Sequence, residues 1–303
     1  MTWLWLTLGA QFLFSVGAHV DKYLLSKYFK GAAPGSLILF SALFSLAVLP
    51  VLAWVSPAVL SISPPHVGVL LVGGALNITG VILSLYAMQE DEASVVATLF
   101  QMIPVFNYGL AYVVLGETLT LVQVAAAALI MAGAVFISLD LSRPKVAVKR
   151  SVFLRMALAS LLIATNSVLF KSVALTEDFW VSTFWSYVSL ALVGAGLFAL
   201  VRTYREQFLR TLRLNSAPVV GLNVFNELLG AGGYMMITYA TLLVPVALVS
   251  VMSGFQPLMV FLIGVFLTLA LPRLGRESLS RKQVAQKLAA MAAMLLGTFL
   301  LHR

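Results

Sequence analysis

Long apolar stretches run along this chain, and charged residues or prolines separate each stretch from the next. A helix needs about 20 consecutive apolar residues to cross the hydrocarbon core of a bilayer. Stretches of this kind lie near residues 3–21, 34–55, 66–88, 93–115, 119–140, 152–174, 179–201, 218–241, 245–270 and 283–301. The pattern predicts an all-α integral membrane protein with ten transmembrane helices. The first stretch lacks the basic segment that begins a cleaved signal peptide, so we expect it to be the first span.

One passage of the sequence occurs twice. Each copy contains a tyrosine, a proline 18 residues later, a glutamate, and a glutamine 6 residues after that glutamate. These residues are Tyr86, Pro104, Glu117 and Gln123 in the first copy, and Tyr239, Pro257, Glu277 and Gln283 in the second. A duplication in an apolar chain indicates a transporter built from paired halves.

The predicted spans divide equally between the two halves of the chain. An odd number of spans in each repeat makes the second repeat enter the bilayer upside down relative to the first. We therefore predict two inverted five-helix repeats, at residues 1–141 and 152–303, joined by a linker at residues 142–151.

The composition excludes a soluble domain. Of the 303 residues, 61% are hydrophobic and only 10% are charged, too few to cover so much apolar surface. The chain has no cysteine, which removes disulfides and thiolate metal sites. Its three histidines lie at span ends, away from Ser253, and no His-Glu-x-x-His pair is present. We therefore expect no enzyme activity, no cofactor and no metal.

Lysine and arginine residues lie mainly beside the odd-numbered loops, with Lys171 and Arg303 as the exceptions. The positive-inside rule places such loops in the cytoplasm, so both termini are expected outside. The net charge of +8 is thereby explained by topology, with the lipid bilayer and not nucleic acid as partner. We expect a multi-pass protein of a bacterial or archaeal cytoplasmic (inner) membrane.

The doubled motif resembles a known family. Its features are a Tyr-Ala pair, a run of small and β-branched residues up to Pro-Val, and Gly-Glu-Thr-Leu-Thr followed by Gln and Gly. In the first copy these are Tyr86, Ala87, Pro104, Val105, residues 116–120, Gln123 and Gly133. The pattern is similar to the ten-helix EamA-type branch of the drug/metabolite transporter superfamily. The second copy departs from it through an insertion near residues 272–274 and through Ala293 in place of Gly133.

The resemblance implies a carrier of small solutes such as amino acids, sugars, nucleotide-like metabolites or cationic drugs, often a proton-coupled exporter. It also implies cytoplasmic termini, opposite to the orientation that the basic residues indicate.

Glu227 is the leading candidate for transport chemistry. It lies near the middle of the eighth predicted span, where an ionised side chain costs about 2.5–3.5 kcal/mol on insertion scales. We expect it to face a hydrated cavity and exchange protons, with Asn223, Tyr234 and Thr238 on the same helix face. The alternative is that a lysine or asparagine of a neighbouring helix satisfies Glu227 structurally.

Polar or aromatic groups on other predicted helices are further candidates for contact with substrate. They are Asn77 and Ser84 in the third span, Gln101 and Tyr108 in the fourth, Ser160 and Ser167 in the sixth, and Trp185 in the seventh. Close helix packing is the alternative role for the third-span residues, and core packing for Trp185.

Two prolines and two lysines occupy matching places in the halves. Pro104 and Pro257 each remove a backbone hydrogen bond near the bilayer centre, which indicates either a central site or a packing kink. Lys22 and Lys171 each end a stripe of small or polar residues and are gate candidates, unless they extend to the interface. We expect Glu117 and Glu277 to cap the helices that follow them.

Together these features predict a secondary active transporter. We expect a proton-coupled exporter of a small polar or amphipathic metabolite that works by alternating access, with the substrate, protons and lipid as partners. The alternative is a flippase for a lipid-linked or amphiphilic substrate. The basic segment 202–213 is expected to determine topology or to lie on the membrane surface.

Overall fold

The computed structural model of the chain describes residues 1–27, 35–90, 93–139, 149–214, 216–270 and 281–301, and its regular elements there are helices. The first half contains α1 (Thr2–Lys27), α2 (Gly35–Val55), α3 (Pro64–Glu90), α4 (Ala93–Leu99), α5 (Met102–Leu115) and α6 (Leu121–Ser138). The second half contains α7 (Arg150–Ala174), α8 (Phe179–Leu200), α9 (Arg202–Leu214), α10 (Ser216–Leu243), α11 (Val246–Val251), α12 (Phe255–Ala270) and α13 (Arg281–Leu300). Short 3₁₀ helices occupy Pro57–Leu60 and Met252–Gly254.

Within the described residues, 8 helical segments are long and apolar enough to cross a membrane. They are α1, α2, α3, α4 with α5, α6, α7, α8, and α11 with α12. The prediction of an all-helical membrane protein is therefore supported over most of the chain. α10 is not among these segments, because Asn223, Asn226 and Glu227 lower the mean hydropathy of its apolar run. The count of ten spans and their inverted arrangement stay predictions.

Two of the predicted spans are interrupted. A turn at Phe100 and Gln101 separates α4 from α5, and the 3₁₀ helix Met252–Gly254 separates α11 from α12. Each interruption lies about one turn before a proline, Pro104 or Pro257. A proline cannot donate to the carbonyl four residues earlier, and its ring clashes with that carbonyl. The α-helix is therefore interrupted at the same place in each copy of the repeat.

The connection between α5 and α6 contains residues that end one helix and begin the next. Gly116, after α5, has φ of 67°, a left-handed conformation that glycine adopts without strain. Thr120 and Gln123 then form a capping box at the start of α6, with N···O distances of 2.9 and 3.2 Å. The repeated glutamine is therefore structural in this copy. In the second copy, Glu277 lies outside the described residues.

The basic segment at residues 202–213 forms α9, whose apolar face packs against protein. Tyr204 and Phe208 are buried with Leu24, Leu39 and Phe40 of α1 and α2. The hydroxyls of Tyr204 and Tyr86 are 2.7 Å apart, which links α9 to the end of α3. Neighbouring helices therefore cover the face of α9 that a membrane-surface helix would insert into lipid.

Extensive helix contacts join the first half to the second. α1 packs along α10, α3 along α7, α2 against α8, and α6 against α13. Glycines permit the closest approaches. A Cβ at Gly80 would lie 2.9 Å from the Ala159 carbonyl oxygen, and one at Gly233 would lie 2.6 Å from Cε1 of Phe14. Membrane helices associate largely through such close van der Waals packing.

Replacing Gly80 with alanine is expected to destabilise the protein. The added Cβ would meet α7 backbone, which cannot move aside as a flexible side chain can, and overpacking of this kind costs about 1–3 kcal/mol. Thermal unfolding in detergent should show a lower midpoint for Gly80→Ala than for the parent.

Gly68→Ala is the matched control, because it lies on the same helix with nothing within 4 Å of its added Cβ. Alanine is the better helix former by about 1 kcal/mol, so the midpoint of this variant should stay level or rise. Equal midpoints for the two variants would contradict the close approach of α3 and α7.

Candidate functional site

A cavity of about 240 Å³ lies among α2, α3, α7, α8 and α10. Its polar lining comprises Ser41, Asn77, Asn166, Ser186, Tyr187, Glu227 and Tyr234. Its apolar and small lining comprises Ile38, Gly74, Ile78, Val81, Leu190, Gly230 and Ala231. The cavity thus brings together residues from both halves of the chain.

Helical spacing explains how α10 contributes to this cavity. Glu227, Gly230, Ala231 and Tyr234 follow one another at intervals of one helical turn or less, so they share one face. Gly230 and Ala231 leave open space between the carboxylate and the tyrosine ring. α3 lies opposite and places Asn77, near its middle, in the lining.

Small groups hold α8 close to α3. A Cβ at Gly74 would overlap the Ser189 hydroxyl oxygen, so a larger residue would push the helices apart. The Ser189 hydroxyl donates to the Leu71 carbonyl at 2.7 Å. This contact brings Ser186 and Tyr187 of α8 to the cavity wall.

Glu227 is half-buried, and its carboxylate accepts a hydrogen bond from the Ser41 hydroxyl at 2.5 Å. Among the described residues, no lysine or arginine forms an ion pair with it. Its neighbour Asn226 donates to Asp21 of α1 at 2.7 Å. Asp21 was not among the sequence candidates, because the first stretch was taken to end at that residue. The signal was available, since the apolar segment continues to Leu24 and contains this acid.

Two tyrosines form an aromatic wall of the cavity. The rings of Tyr187 and Tyr234 are 6.3 Å apart at an angle of 83°, and Tyr234 also contacts Phe170 edge-to-face at 6.4 Å. The Tyr234 side chain interacts with Ser186 and Asn166. The wall therefore combines an apolar surface with hydroxyl and amide groups.

An apolar cluster lies next to the cavity, where α3 and α8 begin and α7 and α10 end; we call this end of the protein the Lys171 side. The cluster, here named the apolar seal, comprises buried Leu70, Phe170, Val173 and Ala174 with partly buried Ile62, Val69, Phe179, Trp185 and Leu242. Trp185 belongs to the seal and not to the cavity lining, and its indole N–H donates to the Val59 carbonyl at 2.7 Å.

A buried ion pair reinforces the Lys171 side. Lys171, 6% exposed, pairs with Glu117 and donates to the Val244 carbonyl at 2.8 Å. The other carboxylate oxygen of Glu117 accepts the Val246 backbone N–H at 2.8 Å. The expectation that Glu117 caps the next helix along the chain is therefore wrong, because it caps α11 while Thr120 caps α6. The pair joins α7, the α5–α6 loop and the α10–α11 connection.

His66 and Glu177 form a second contact on the same side. The imidazole Nδ1 lies 2.7 Å from the carboxylate, which also accepts the Ser63 backbone N–H at 3.4 Å. The hydrogen bond with His66 lowers the pKa of Glu177, which lies in the connection between α7 and α8. This contact links that connection to the start of α3.

The remaining predicted site residues lie outside the cavity lining. Asn223, Thr238, Ser84 and Ser167 donate to carbonyls of their own helices. Such local bonds satisfy polar groups inside a membrane helix. The Ser160 hydroxyl and the Gln101 carbonyl oxygen are buried without a hydrogen-bond partner among the described residues. Tyr108 is exposed on α5, and Lys22 is exposed on α1, at the end opposite Lys171 that we call the Lys22 side.

Four polar lining residues were absent from the sequence candidates: Ser41, Asn166, Ser186 and Tyr187. Asn166 offered a signal, since an amide inside an apolar stretch needs a partner. It directly precedes Ser167, which was a candidate. Single hydroxyls such as Ser41 are common in membrane helices and gave no signal.

Comparisons with known proteins agree with this architecture. Residues 1–139 match the EamA-like transporter family, which confirms the resemblance over the first half of the chain. A solved structure titled only "Crystal structure of protein" has the same fold, with a TM-score of 0.62 and 16% identity over 98% of this chain and 95% of that one. Similarity at this level concerns the fold alone. No curated protein matches the chain.

Removing one partner of the buried ion pair is expected to be strongly destabilising. Lys171→Gln leaves Glu117 without its cation, and such a loss costs about 3–5 kcal/mol. The double variant Lys171→Gln with Glu117→Gln should recover part of that loss. Thermal unfolding in detergent measures both effects.

Arg155→Gln is the comparison variant, because Arg155 pairs with Glu90 at an exposed site where both side chains are 38% exposed. Exposed pairs contribute about 0–1 kcal/mol. A Lys171→Gln variant as stable as Arg155→Gln would contradict the buried, supporting role of Lys171.

Acidification is expected to remove the stabilisation that Glu177 provides. A carboxyl whose pKa is lowered by folding stabilises the fold above its ordinary value of 4.5 and loses this contribution as pH falls below it. The melting midpoint of the parent should therefore fall more steeply below pH 4.5 than that of Glu177→Gln. Parallel pH profiles for the two proteins would contradict the interaction.

Proposed function

We propose that this protein is a secondary active transporter that moves a small solute across the membrane by alternating access, with the cavity as its central site. The observation that carries the proposal is Glu227, a half-buried carboxylate near the middle of α10 that lines a cavity between the two halves. The match of residues 1–139 to a transporter family supports the same conclusion.

Inverted repeats are the first part of this proposal. The duplication relates α3 to α10 by 153 positions, as from Tyr86 to Tyr239, and α1 to α7 by 149 positions, as from Lys22 to Lys171. Gly80 therefore corresponds to Gly233, and Phe14 to Ile163. A Cβ at Gly80 would lie 2.9 Å from Ile163, and one at Gly233 would lie 2.6 Å from Phe14. The contact between α3 and α7 thus has its counterpart between α10 and α1.

A second contact also has a counterpart between the corresponding residues of the two repeats. Gly73 corresponds to Asn226, and Gly17 to Asn166. A Cβ at Gly73 would lie 3.1 Å from the Asn166 amide oxygen, and one at Gly17 would lie 2.7 Å from the Asn226 amide oxygen. Two such exchanged contacts support a twofold axis between the repeats, the arrangement on which alternating access depends in many carriers.

Gating residues form the second part. The apolar seal and the Lys171–Glu117 pair separate the cavity from the Lys171 side, whereas Lys22, which corresponds to Lys171, is exposed. We infer that Lys171 and Lys22 belong to gates on opposite sides and that the Lys171 gate is closed in this structure. Opening it would separate the α10–α11 connection from α7.

Proton coupling through Glu227 is the third part. A carboxylate without a fixed cation, in contact with a cavity, is free to take up a proton on one side and release it on the other. The basic residues of α9 support placing the Lys22 side in the cytoplasm, with both termini outside. Export driven by protons fits this arrangement.

Glu227→Gln is expected to abolish pH-driven transport, because the amide retains a hydrogen-bonding shape but exchanges no proton. Electrical recording on supported proteoliposome membranes would compare currents for tryptophan, glucose, uridine and tetraphenylphosphonium under a pH gradient. Currents measured with the parent should fall at least about tenfold in Glu227→Gln. Loss of a charge interaction worth about 1.4 kcal/mol is enough to produce a tenfold change.

Glu206→Gln is the control, because Glu206 is exposed on α9 and pairs with Arg202 within that helix. Its currents should equal those of the parent. Undiminished flux and an unchanged pH profile in Glu227→Gln would remove Glu227 from the mechanism.

A further inference from the structure

The charge of the cavity lining distinguishes between classes of solute. Glu227 is its one acidic residue, and no lysine, arginine or histidine is among the described residues that line it. Lys171, the buried cation described above, is already bound by Glu117 and the Val244 carbonyl. An anionic group in the cavity would therefore remain unpaired, and removing an unpaired charge from water costs several kcal/mol.

An ammonium group would find the opposite situation. The Glu227 carboxylate would accept a charge-assisted hydrogen bond, the stronger class of such bonds. An ammonium group has three donors, and the side-chain carbonyls of Asn77 and Asn166 are acceptors in the same lining. The polar groups thus match a primary amine in charge and in hydrogen-bonding type.

The rest of the cavity matches an apolar body. Tyr187 and Tyr234 present aromatic rings beside the carboxylate, and Ile78 and Leu190 add aliphatic surface. Aromatic faces attract a nearby cation as well as a flat apolar ring. The volume of about 240 Å³ lies below the range of about 300–1,000 Å³ usual for drug-sized ligands, which favours a small molecule.

We propose that the cavity selects small organic amines with an apolar or aromatic body, and that it discriminates against the corresponding amino acids because nothing in its lining pairs with a carboxylate. This inference rests on the proposed function, since it names the substrate class of the same site. The discriminating feature is that the described lining residues include no cation but do include Glu227, bonded to Ser41.

Tyramine and tyrosine are the matched probes, because they differ only by the carboxylate. The third probe, 4-ethylphenol, is tyramine without its amine. Binding to purified protein in detergent would be measured by radioligand displacement and by thermal stabilisation, which grows with ligand affinity. Tyramine should bind at least about tenfold more tightly than either relative. Equal affinity for tyrosine would overturn the proposal.

Two variants test the role of the carboxylate. Glu227→Gln should lose tyramine affinity by at least about tenfold, and Glu206→Gln should retain it, with melting curves in the absence of ligand to verify folding. Ser41→Ala keeps the Glu227 carboxylate and should therefore weaken tyramine binding less than Glu227→Gln does. Undiminished tyramine binding by folded Glu227→Gln would contradict the assignment, and the parent's discrimination between tyramine and tyrosine tests it without any variant.

Transport measurements separate this proposal from the broader one. Glu227-dependent flux of another solute, with no binding of tyramine, would overturn the amine assignment and leave the transporter standing. Selective tyramine binding without any movement across proteoliposome membranes would support the amine site and contradict transport.

Discussion

A polar side chain within a bilayer must find its partner inside the protein, because the surrounding hydrocarbon provides neither donors nor acceptors. Two groups of polar side chains meet this constraint in different ways, whereas the Ser160 hydroxyl and the Gln101 carbonyl oxygen have no partner among the described residues. Asn223, Ser84 and Ser167 donate hydrogen bonds to carbonyls of their own helices, so they need no partner on a neighbouring helix. Glu227 and Asn77 lie instead on the wall of a shared cavity. The division between these two groups defines the site.

Close helix packing is what brings the second group together. Gly80 on α3 lets α7 approach at backbone distance, and Gly233 on α10 leaves room for the Phe14 ring of α1. The Ser189 hydroxyl fixes α8 against α3. The lining residues therefore stand on rigid elements and not on loops. In a site built in this way, the helices fix the positions of the lining side chains.

The sequence predicted the large features well because they depend on local pattern. Apolar length identified most spans, and polarity within a predicted span singled out Glu227, Asn77 and Tyr234, all of which line the cavity. Helical periodicity places residues on a common face but does not say which neighbour that face meets. Thr238 shares a stripe with Glu227, yet its hydroxyl bonds to its own helix.

The sequence was least informative where a contact spans a long stretch of chain. Glu117 looked like a local cap, but its carboxylate binds Lys171 and the amide of Val246. Ser41 and Ser186 became lining residues only through the mutual rotation of α2, α8 and α10. Such relationships depend on tertiary packing, which a single sequence read by periodicity does not contain.

The contact between Glu117 and Val246 also bears on how the protein is made. Its two ends lie 129 residues apart, so the carboxylate leaves the ribosome long before the amide that it caps. Lys171 emerges between them and is itself separated by 73 residues from the carbonyl that it binds. Translation of the later half must therefore reach the α10–α11 connection before this polar junction closes. The junction therefore joins three parts of the chain that are far apart in sequence.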